Sequence, residues 1–210
     1  TTGETFERDL AQNLNNLGGK ILRLTPEGKI PTDNPFKDSA VYSLGHRNPQ
    51  GLAWHPQTKD LFITDHGPSG EGGLGAKDMV KVIQPGGNYG WPNTIGYFAN
   101  NKYLNPLIMW PDTSVPPSGA VFYRGDLYIA TLRSEALIKI NLEQNQGSNY
   151  QVKNIERWFA EDNRNGKYGR LRAVTVGPEG SLYVLTNNRD GRGNPNTDDD
   201  KILKITPNIK

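Results

Sequence analysis

The sequence contains no cysteine and no long apolar run, and both absences narrow the classes of protein to which it belongs. Without cysteine, the chain forms no disulfide and offers no thiolate to a metal ion. No run approaches the ~20 apolar residues that a helix needs to span a bilayer. The charges are nearly balanced, with 24 Lys and Arg against 22 Asp and Glu, so no basic surface for nucleic acid or membranes stands out.

Several catalytic and metal-binding signatures are missing as well. The histidines, His46, His55 and His66, lack the paired helical spacing of zinc sites. We find no nucleophile elbow, phosphate-binding loop or dinucleotide fingerprint. The acidic run at 198–200 lies between a polar loop and an apolar segment, which predicts a solvated turn rather than a metal site.

Glycine and proline are abundant, with 24 and 15 of the 210 residues. A chain with 34% hydrophobic residues and so many turn formers is neither disordered nor a helical bundle. Helical periodicity is limited to residues 9–17 and 156–161. Short apolar segments bounded by turn residues predict strands at 20–24, 51–54, 61–64, 79–83, 121–123, 127–130, 137–140, 173–176, 182–185 and 202–205. We therefore predict an all-β fold.

Three pairs of these segments share one pattern, which is an apolar strand, a tight turn and a second apolar strand. Residues 51–63, 119–129 and 172–184 each carry it, and a further strand candidate follows. Recurrence of a four-strand unit at a spacing of tens of residues is typical of a β-propeller. A β-sandwich also consists of short strands, but it gives no reason for the repeated pattern. The propeller is therefore the favoured interpretation.

The repeats predict a single partial propeller domain over residues 1–210, without a separate linker. Three units and a partial one at the N-terminus make about half a ring, which leaves a sheet edge unpaired at each end. We therefore expect the chain to need a further propeller segment as a partner, from the same protein or from a second chain. The start at Thr1 without Met fits a fragment or a processed product.

Residues that suit anions and a hard cation flank two of the predicted strands. Arg47 and Asn48 precede the strand at 51–54, and a guanidinium beside an amide grips a carboxylate well. The alternative is an arginine paired with a local Asp and an Asn that caps a turn. Gly67 and Pro68 follow the strand at 61–64 and leave carbonyl oxygens free for calcium, although the same pair also makes ordinary turns.

Three more arginines, Arg133, Arg170 and Arg172, lie beside later predicted strands. Alternation along an extended segment puts Arg170 and Arg172 on the same side. They concentrate positive potential if that side faces a central funnel, and they are ordinary solvated side chains otherwise. With the glycine-rich aromatic loop at 86–92, these residues predict a site for a polyanionic cofactor and a hard metal ion.

These motifs together resemble the soluble pyrroloquinoline-quinone (PQQ)-dependent sugar dehydrogenases, most closely the aldose sugar dehydrogenase branch of the glucose/sorbosone dehydrogenase family. The resemblance runs from residue 1 to about 205 and is densest over 13–24, 45–53, 66–68 and 86–92. It implies a six-bladed β-propeller with PQQ over the central channel. This chain would supply roughly its last three to four blades.

The resemblance also implies roles for individual residues. The residues that match PQQ contacts of the family are Arg47, Asn48, Arg133, Arg170 and Arg172. Gly67 and Pro68 match the carbonyl ligands of the calcium ion beside PQQ, and Trp110 falls near a substrate-side aromatic. Met79 stands where the family often has a Glu ligand of a second, structural calcium ion, so that site is expected only if Asp78 takes over.

The activity that the resemblance implies is oxidation of the anomeric hydroxyl of an aldose to a lactone, with an electron acceptor as a further partner. The family's catalytic base is a His in its N-terminal third, and none of the histidines here matches its position. The chain alone is therefore expected to be inactive. The alternative is a non-catalytic propeller that serves as a binding scaffold. A calcium-dependent lactonase would need acidic and Asn ligands near the axis. The resemblance further implies a periplasmic or secreted protein.

Overall fold

The computed structural model describes residues 1–70, 75–99, 102–147 and 149–206, where the regular structure is almost entirely β-sheet. A short 3-10 helix spans Arg8–Gln12. The strands are β1 (Lys20–Leu22), β2 (Val41–Leu44), β3 (Pro49–Trp54), β4 (Leu61–Asp65), β5 (Asp78–Ile83), β6 (Ile108–Trp110), β7 (Pro117–Tyr123), β8 (Asp126–Thr131), β9 (Leu137–Gln144), β10 (Tyr150–Trp158), β11 (Leu171–Val176), β12 (Leu182–Thr186) and β13 (Ile202–Ile205). Within the described ranges no helix has the length and apolar character of a membrane span.

The strands form successive antiparallel sheets that repeat one order. The sheets β3–β4–β5–β6 and β7–β8–β9–β10 have four strands each, and β11–β12–β13 has three. A two-stranded sheet, β1–β2, precedes them. Within each sheet, every strand pairs with its neighbours along the chain, as in the blades of a β-propeller. The all-β fold and the recurring unit predicted from the sequence are thereby confirmed.

The first strands of the three blades pack side by side, with β7 between β3 and β11. Two glycines permit this close approach. A Cβ atom on Gly51 would lie 2.3 Å from the carbonyl oxygen of Ser118, and one on Gly119 would lie 2.9 Å from Cα of Ala173. By strand register, the residue of β11 equivalent to these two glycines is Arg172. Among the described residues, no first strand of another blade packs on that side of β11. The side chain of Arg172 is exposed.

The hydrophobic core lies between the blades, and β8 shows how it is built. Leu127 and Ile129 face a cluster shared with the first blade, whereas Tyr128 and Ala130 face a cluster shared with the third. Alternation along a strand directs successive side chains to opposite faces of the sheet. One strand therefore joins both interfaces and fixes the positions of the neighbouring blades.

The sequence-based prediction missed β2, β6 and β10, and it placed a helix wrongly. Residues 156–158 belong to β10, so the predicted helix at 156–161 is wrong. In that strand Glu156 pairs with Lys139 across the sheet, and their side chains form an ion pair of 2.9 Å. The predicted helix at 9–17 is reduced to the 3-10 helix Arg8–Gln12.

Candidate active site

A cavity of about 530 Å³ lies where loops of the three blades meet. Gly67 and Pro68 line it from the loop after β4, and Arg133 lines it from the loop after β8. Arg170, which also lines it, is the residue directly before β11. A second cavity of about 450 Å³ shares Arg133 with the first and continues past Pro111. The structure thus brings together four of the residues predicted from sequence.

Arg47 and Asn48 lie directly behind the wall of the larger cavity. The Nη2 atom of Arg47 donates to Oγ of Ser69 at 3.4 Å, and Nδ2 of Asn48 lies 3.4 Å from Nδ1 of His66. Both Ser69 and His66 line the cavity. Arg47 is only 6% exposed, so its charge is largely withdrawn from bulk water.

A fully buried group of polar side chains lies beneath this pair. The Nζ atom of Lys81 donates to Oδ2 of Asp65 at 2.5 Å, and Nε2 of His46 lies 2.8 Å from Oγ of Ser43. Burial alone would raise the pKa of Asp65, but the charge of Lys81 and the contact with His46 bring it below its usual value. Burial lowers the pKa of His46 to about 4. At neutral pH, Asp65 is therefore ionised and His46 neutral.

The turn at Gly67 and Pro68 is held from behind by a buried carboxylate. Asp78 accepts the N–H of Gly67 at 3.0 Å through Oδ1 and that of Val115 at 2.8 Å through Oδ2. Burial raises the pKa of Asp78, and the two amide donors oppose that effect. A Cβ atom on Gly67 would lie 2.0 Å from the carbonyl oxygen of Ala76, so the position accepts no side chain without movement.

Arg170 is held through both its backbone and its guanidinium group. Its N–H donates to Oδ1 of Asn188 at 2.8 Å, and its Nη2 pairs with Oδ2 of Asp190 at 2.7 Å. Nε of Arg170 is buried and has no hydrogen-bond partner among the described residues. The N–H of Asn188 in turn donates to Oδ1 of Asp200 at 2.5 Å. A chain of polar contacts therefore supports this arginine.

The remaining predicted residues lie further from the cavity wall or are exposed. Arg133 is exposed and lines both cavities. Arg172 is not part of the lining, although its charge acts with that of Arg47 and with the larger effect of burial to lower the pKa of His66 to about 4. Trp110 ends β6 and packs against the core cluster between the first two blades.

Sequence reasoning overlooked several residues that shape the site. They are Asp65, Asn188, Asp190 and Arg192, the last of which lines the larger cavity. A usable signal for Asp65 was its place at the end of a predicted strand, immediately before His66-Gly67-Pro68. The other three lie in the polar loop after β12, where the sequence carries no apolar pattern to fix their positions.

Two other places were considered from the sequence as metal sites, the segment at Asp78 and Met79 and the acidic run at 198–200. Their side chains make contacts within the protein. Met79 is 5% exposed and pairs with Asp65 across β4 and β5, while both carboxylate oxygens of Asp78 accept backbone amides. In the predicted acidic turn, Asp198 forms an exposed ion pair of 2.9 Å with Lys201. In the described part of the chain, no group of three or more His, Asp or Glu side chains is placed to hold a metal ion.

Comparison with known proteins gives concordant matches. The glucose/sorbosone dehydrogenase family model matches residues 1–194. The aldose sugar dehydrogenase YliI of Escherichia coli K12 is 33% identical over 233 aligned positions, which cover 98% of this chain and 55% of that protein.

Solved structures agree with these sequence matches. A Thermus thermophilus structure described as an oxidoreductase (glucose dehydrogenase) has 51% identity and a TM-score of 0.89, covering 97% of this chain and 60% of that one. The PQQ-bound aldose sugar dehydrogenase of Streptomyces coelicolor has 36% identity and a TM-score of 0.82, covering 96% and 56%. The likeness confirms the predicted six-bladed β-propeller, of which this chain spans a little over half the length.

Proposed function

Because this chain belongs to the glucose/sorbosone dehydrogenase family, we propose that it supplies most of the cofactor seat of a PQQ- and calcium-dependent aldose dehydrogenase. The observation that carries the proposal is the convergence of Gly67, Pro68, Arg133 and Arg170 on one cavity from the loops of three blades. A propeller that serves only as a scaffold gives no reason for this convergence. As an expectation from the family, the protein acts in the periplasm or outside the cell.

The basic residues at the cavity suit the three carboxylates of PQQ. Guanidinium groups bind carboxylates through paired, charge-assisted hydrogen bonds. Arg133 offers an exposed guanidinium, and Arg170 retains a buried donor, Nε, that no described residue satisfies. We assign cofactor contacts to Arg47, Asn48 and Arg172 as well, since the first two adjoin the wall and the charge of the third acts on His66.

The turn at Gly67 and Pro68 suits calcium. Proline has no N–H, and Asp78 already accepts the N–H of Gly67. The remaining polar atoms of the turn are therefore carbonyl oxygens, which are ligands that this hard cation prefers. The ionised form of Asp78, directly behind the turn, adds a negative charge of the required sign.

The chain's own part in the reaction is to bind and orient. When bound, PQQ would supply the two-electron oxidant and calcium the Lewis acid for converting the anomeric hydroxyl of an aldose to a lactone. The arginines would hold the anionic groups, and the segment at Trp110 and Pro111 would border the sugar. The family pattern assigns proton abstraction to a histidine that this chain does not supply. His46 does not take that role, since it is fully buried and contacts Ser43.

The test is aldose-dependent reduction of an artificial electron acceptor by the protein at its full natural length, with PQQ and calcium added. Arg170→Ala should weaken PQQ binding by about 10- to 100-fold, because a hydrogen bond to a charged group contributes about 1.5–3 kcal/mol. Arg23→Ala is the control, since Arg23 also pairs with an aspartate, Asp33 at 3.0 Å, but on the exposed surface of the first sheet. A loaded protein that oxidises no aldose would end the proposal. Equal PQQ affinity in the two variants would remove Arg170 from the site.

A further inference from the structure

We propose that Asp65 is a positioning residue for the cofactor site. Its buried carboxylate holds the backbone amides of Arg47 and Asn48 and thereby sets the direction in which both side chains leave the chain. The inference rests on the proposed function, in which Arg47 and Asn48 contact the cofactor. Asp65 itself lies behind them and touches neither cofactor nor substrate.

The hydrogen bonds of Asp65 are directed at two consecutive residues. Oδ1 accepts the N–H of Asn48 at 2.7 Å, and Oδ2 lies 3.3 Å from the backbone nitrogen of Arg47. The carbonyl oxygen of Asn48 accepts the N–H of His66 at 3.2 Å, which ties the same segment to the residue after Asp65. Asp65 is 0% exposed, so these contacts are shielded from water.

The segment needs such an anchor because the sheet does not provide one. Arg47 and Asn48 lie between β2 and β3 and belong to neither strand. The next residue, Pro49, pairs with Asp65 but has no N–H, and the register between β3 and β4 shifts between Pro49 and Leu52. Backbone contacts reach only the carbonyl oxygens of this segment, where the N–H of Glu4 donates to Arg47 at 2.9 Å and that of His66 to Asn48. The amides of Arg47 and Asn48 face the carboxylate of Asp65 instead.

A carboxylate fits this task better than a neutral side chain. Each of its two oxygens faces a different backbone amide, whereas an Asn in the same place would turn its NH2 group, a donor, toward one of them. Its charge is balanced by Lys81, which is 1% exposed, reaches Asp65 from β5 and lies 5.3 Å from the ring centre of Tyr89. A buried ion pair is often no more stabilising than apolar side chains of similar volume. A gain in overall stability therefore explains the presence of this ion pair poorly. Orientation of the segment at Arg47 and Asn48 explains it better.

The experiment measures PQQ affinity and thermal unfolding of one double variant and its matched control, in the protein at its full natural length. Asp65→Asn with Lys81→Met removes the charges together, retains similar volumes and leaves one acceptor oxygen instead of two. We expect its PQQ dissociation constant to rise at least tenfold. Glu156→Gln with Lys139→Met removes an ion pair between β9 and β10 by the corresponding carboxylate-to-amide and Lys→Met changes, and should change affinity less than twofold. Equal affinity of the Asp65 double variant and the parent would overturn the proposal.

A cycle in a background with Arg47→Ala and Asn48→Ala together separates positioning from a general structural effect. If Asp65 acts through these two side chains, its double variant should weaken binding less than threefold further in that background. A full, additive loss there would show a structural role instead. If the parent does not bind PQQ, the proposed function fails, which is a different result from a parent that binds and a variant that binds equally.

Hydrogen exchange of the unaltered protein tests the contacts themselves and does not depend on the variants folding. The amides of Arg47 and Asn48 should be protected to the same degree as those of the buried strand β4. Exchange as fast as in the exposed turn at Arg124 would contradict the proposal, because the bonds to Asp65 would then be absent in solution.

Discussion

Arg47, just before the first four-stranded blade, and Arg170, just before the third blade, are both proposed to contact the cofactor, but the protein holds them by different chemistry. The backbone of Arg47 is fixed by an ionised, fully buried carboxylate, Asp65, which Lys81 balances. The backbone of Arg170 is fixed by the neutral amide of Asn188, and its guanidinium group pairs with Asp190, whose side chain is 23% exposed. One anchor belongs to the strands and the other to a polar loop.

This difference predicts that substitutions in the two anchors lower the free energy of unfolding by different amounts. In a buried, weakly polar environment, removing one partner of an ion pair is costly because the other charge is left without compensation. Where one partner is reached by water, as Asp190 is, solvent screens the pair and its loss costs less. The first-blade end of the site should therefore be rigid and easily broken by substitution. At the third-blade end, loss of the ion pair should lower the free energy of unfolding much less.

The largest effect is expected from removing one partner in each pair. Lys81→Met leaves Asp65 buried without its balancing charge and should lower the free energy of unfolding by about 3–5 kcal/mol. Asp190→Asn breaks the pair in which only Asp190 is partly exposed, at 23%, and should lower it by less, about 1 kcal/mol. Denaturant unfolding of both variants at neutral pH measures the two losses. Equal losses would remove the distinction between the two ends.

Acidification should destabilise the first-blade end at a higher pH than the other. Folded His46 stays neutral down to its pKa of about 4, whereas in the unfolded chain it takes a proton near 6.5. The unfolded state therefore binds more protons between these values. The contribution of His46 to the free energy of unfolding should be complete above about pH 7. It should fall by up to roughly 3 kcal/mol as the pH drops to 4. The pKa of Asp190 is lowered below its ordinary value of 3.8, so its pairing is lost only in stronger acid.

Denaturant unfolding of the parent and of His46→Gln across this range measures the contribution of His46. His66, with a pKa of about 4, adds to the slope of both proteins and is common to the comparison. The variant should show the shallower slope between pH 7 and 4. Identical slopes would mean that His46 is not buried in its neutral form.

A smaller effect on stability is expected from a single methyl group in the cavity wall. Gly67→Ala places Cβ against the backbone of Ala76 and should cost about 1–3 kcal/mol through overpacking, with calcium binding weakened as the turn shifts. Gly75→Ala lies in the same wall with open space around its Cβ and is the control. Thermal unfolding and calcium titration check both variants. Similar behaviour of the two would show that the turn at Gly67 is not closely packed.

The repeating blades were predictable because their apolar segments alternate, recur and are separated by turn residues. β10 was missed for the opposite reason. Its residues include Gln151, Lys153, Asn154 and Glu156, most of its side chains are exposed or partly exposed, and pairing with β9 rather than an apolar pattern makes it a strand.

The candidate site divides in the same way. Four site residues could be predicted from their own chemistry, as guanidinium groups or as a Gly-Pro turn. The structure brings these four to one cavity: Gly67, Pro68, Arg133 and Arg170. The role of Asp65 was not predictable, because its partners Arg47 and Lys81 lie 18 and 16 residues away along the chain. Only the register of β3, β4 and β5 brings them together.

A crystal structure of the full-length protein with PQQ and calcium would show directly whether one cofactor seat is assembled from separate blades. We expect the cofactor in the larger cavity, with its carboxylates on arginines of the first and third blades and calcium on the carbonyl oxygens of Gly67 and Pro68. PQQ bound elsewhere, with Arg47 and Arg170 making no contact to it, would contradict the account.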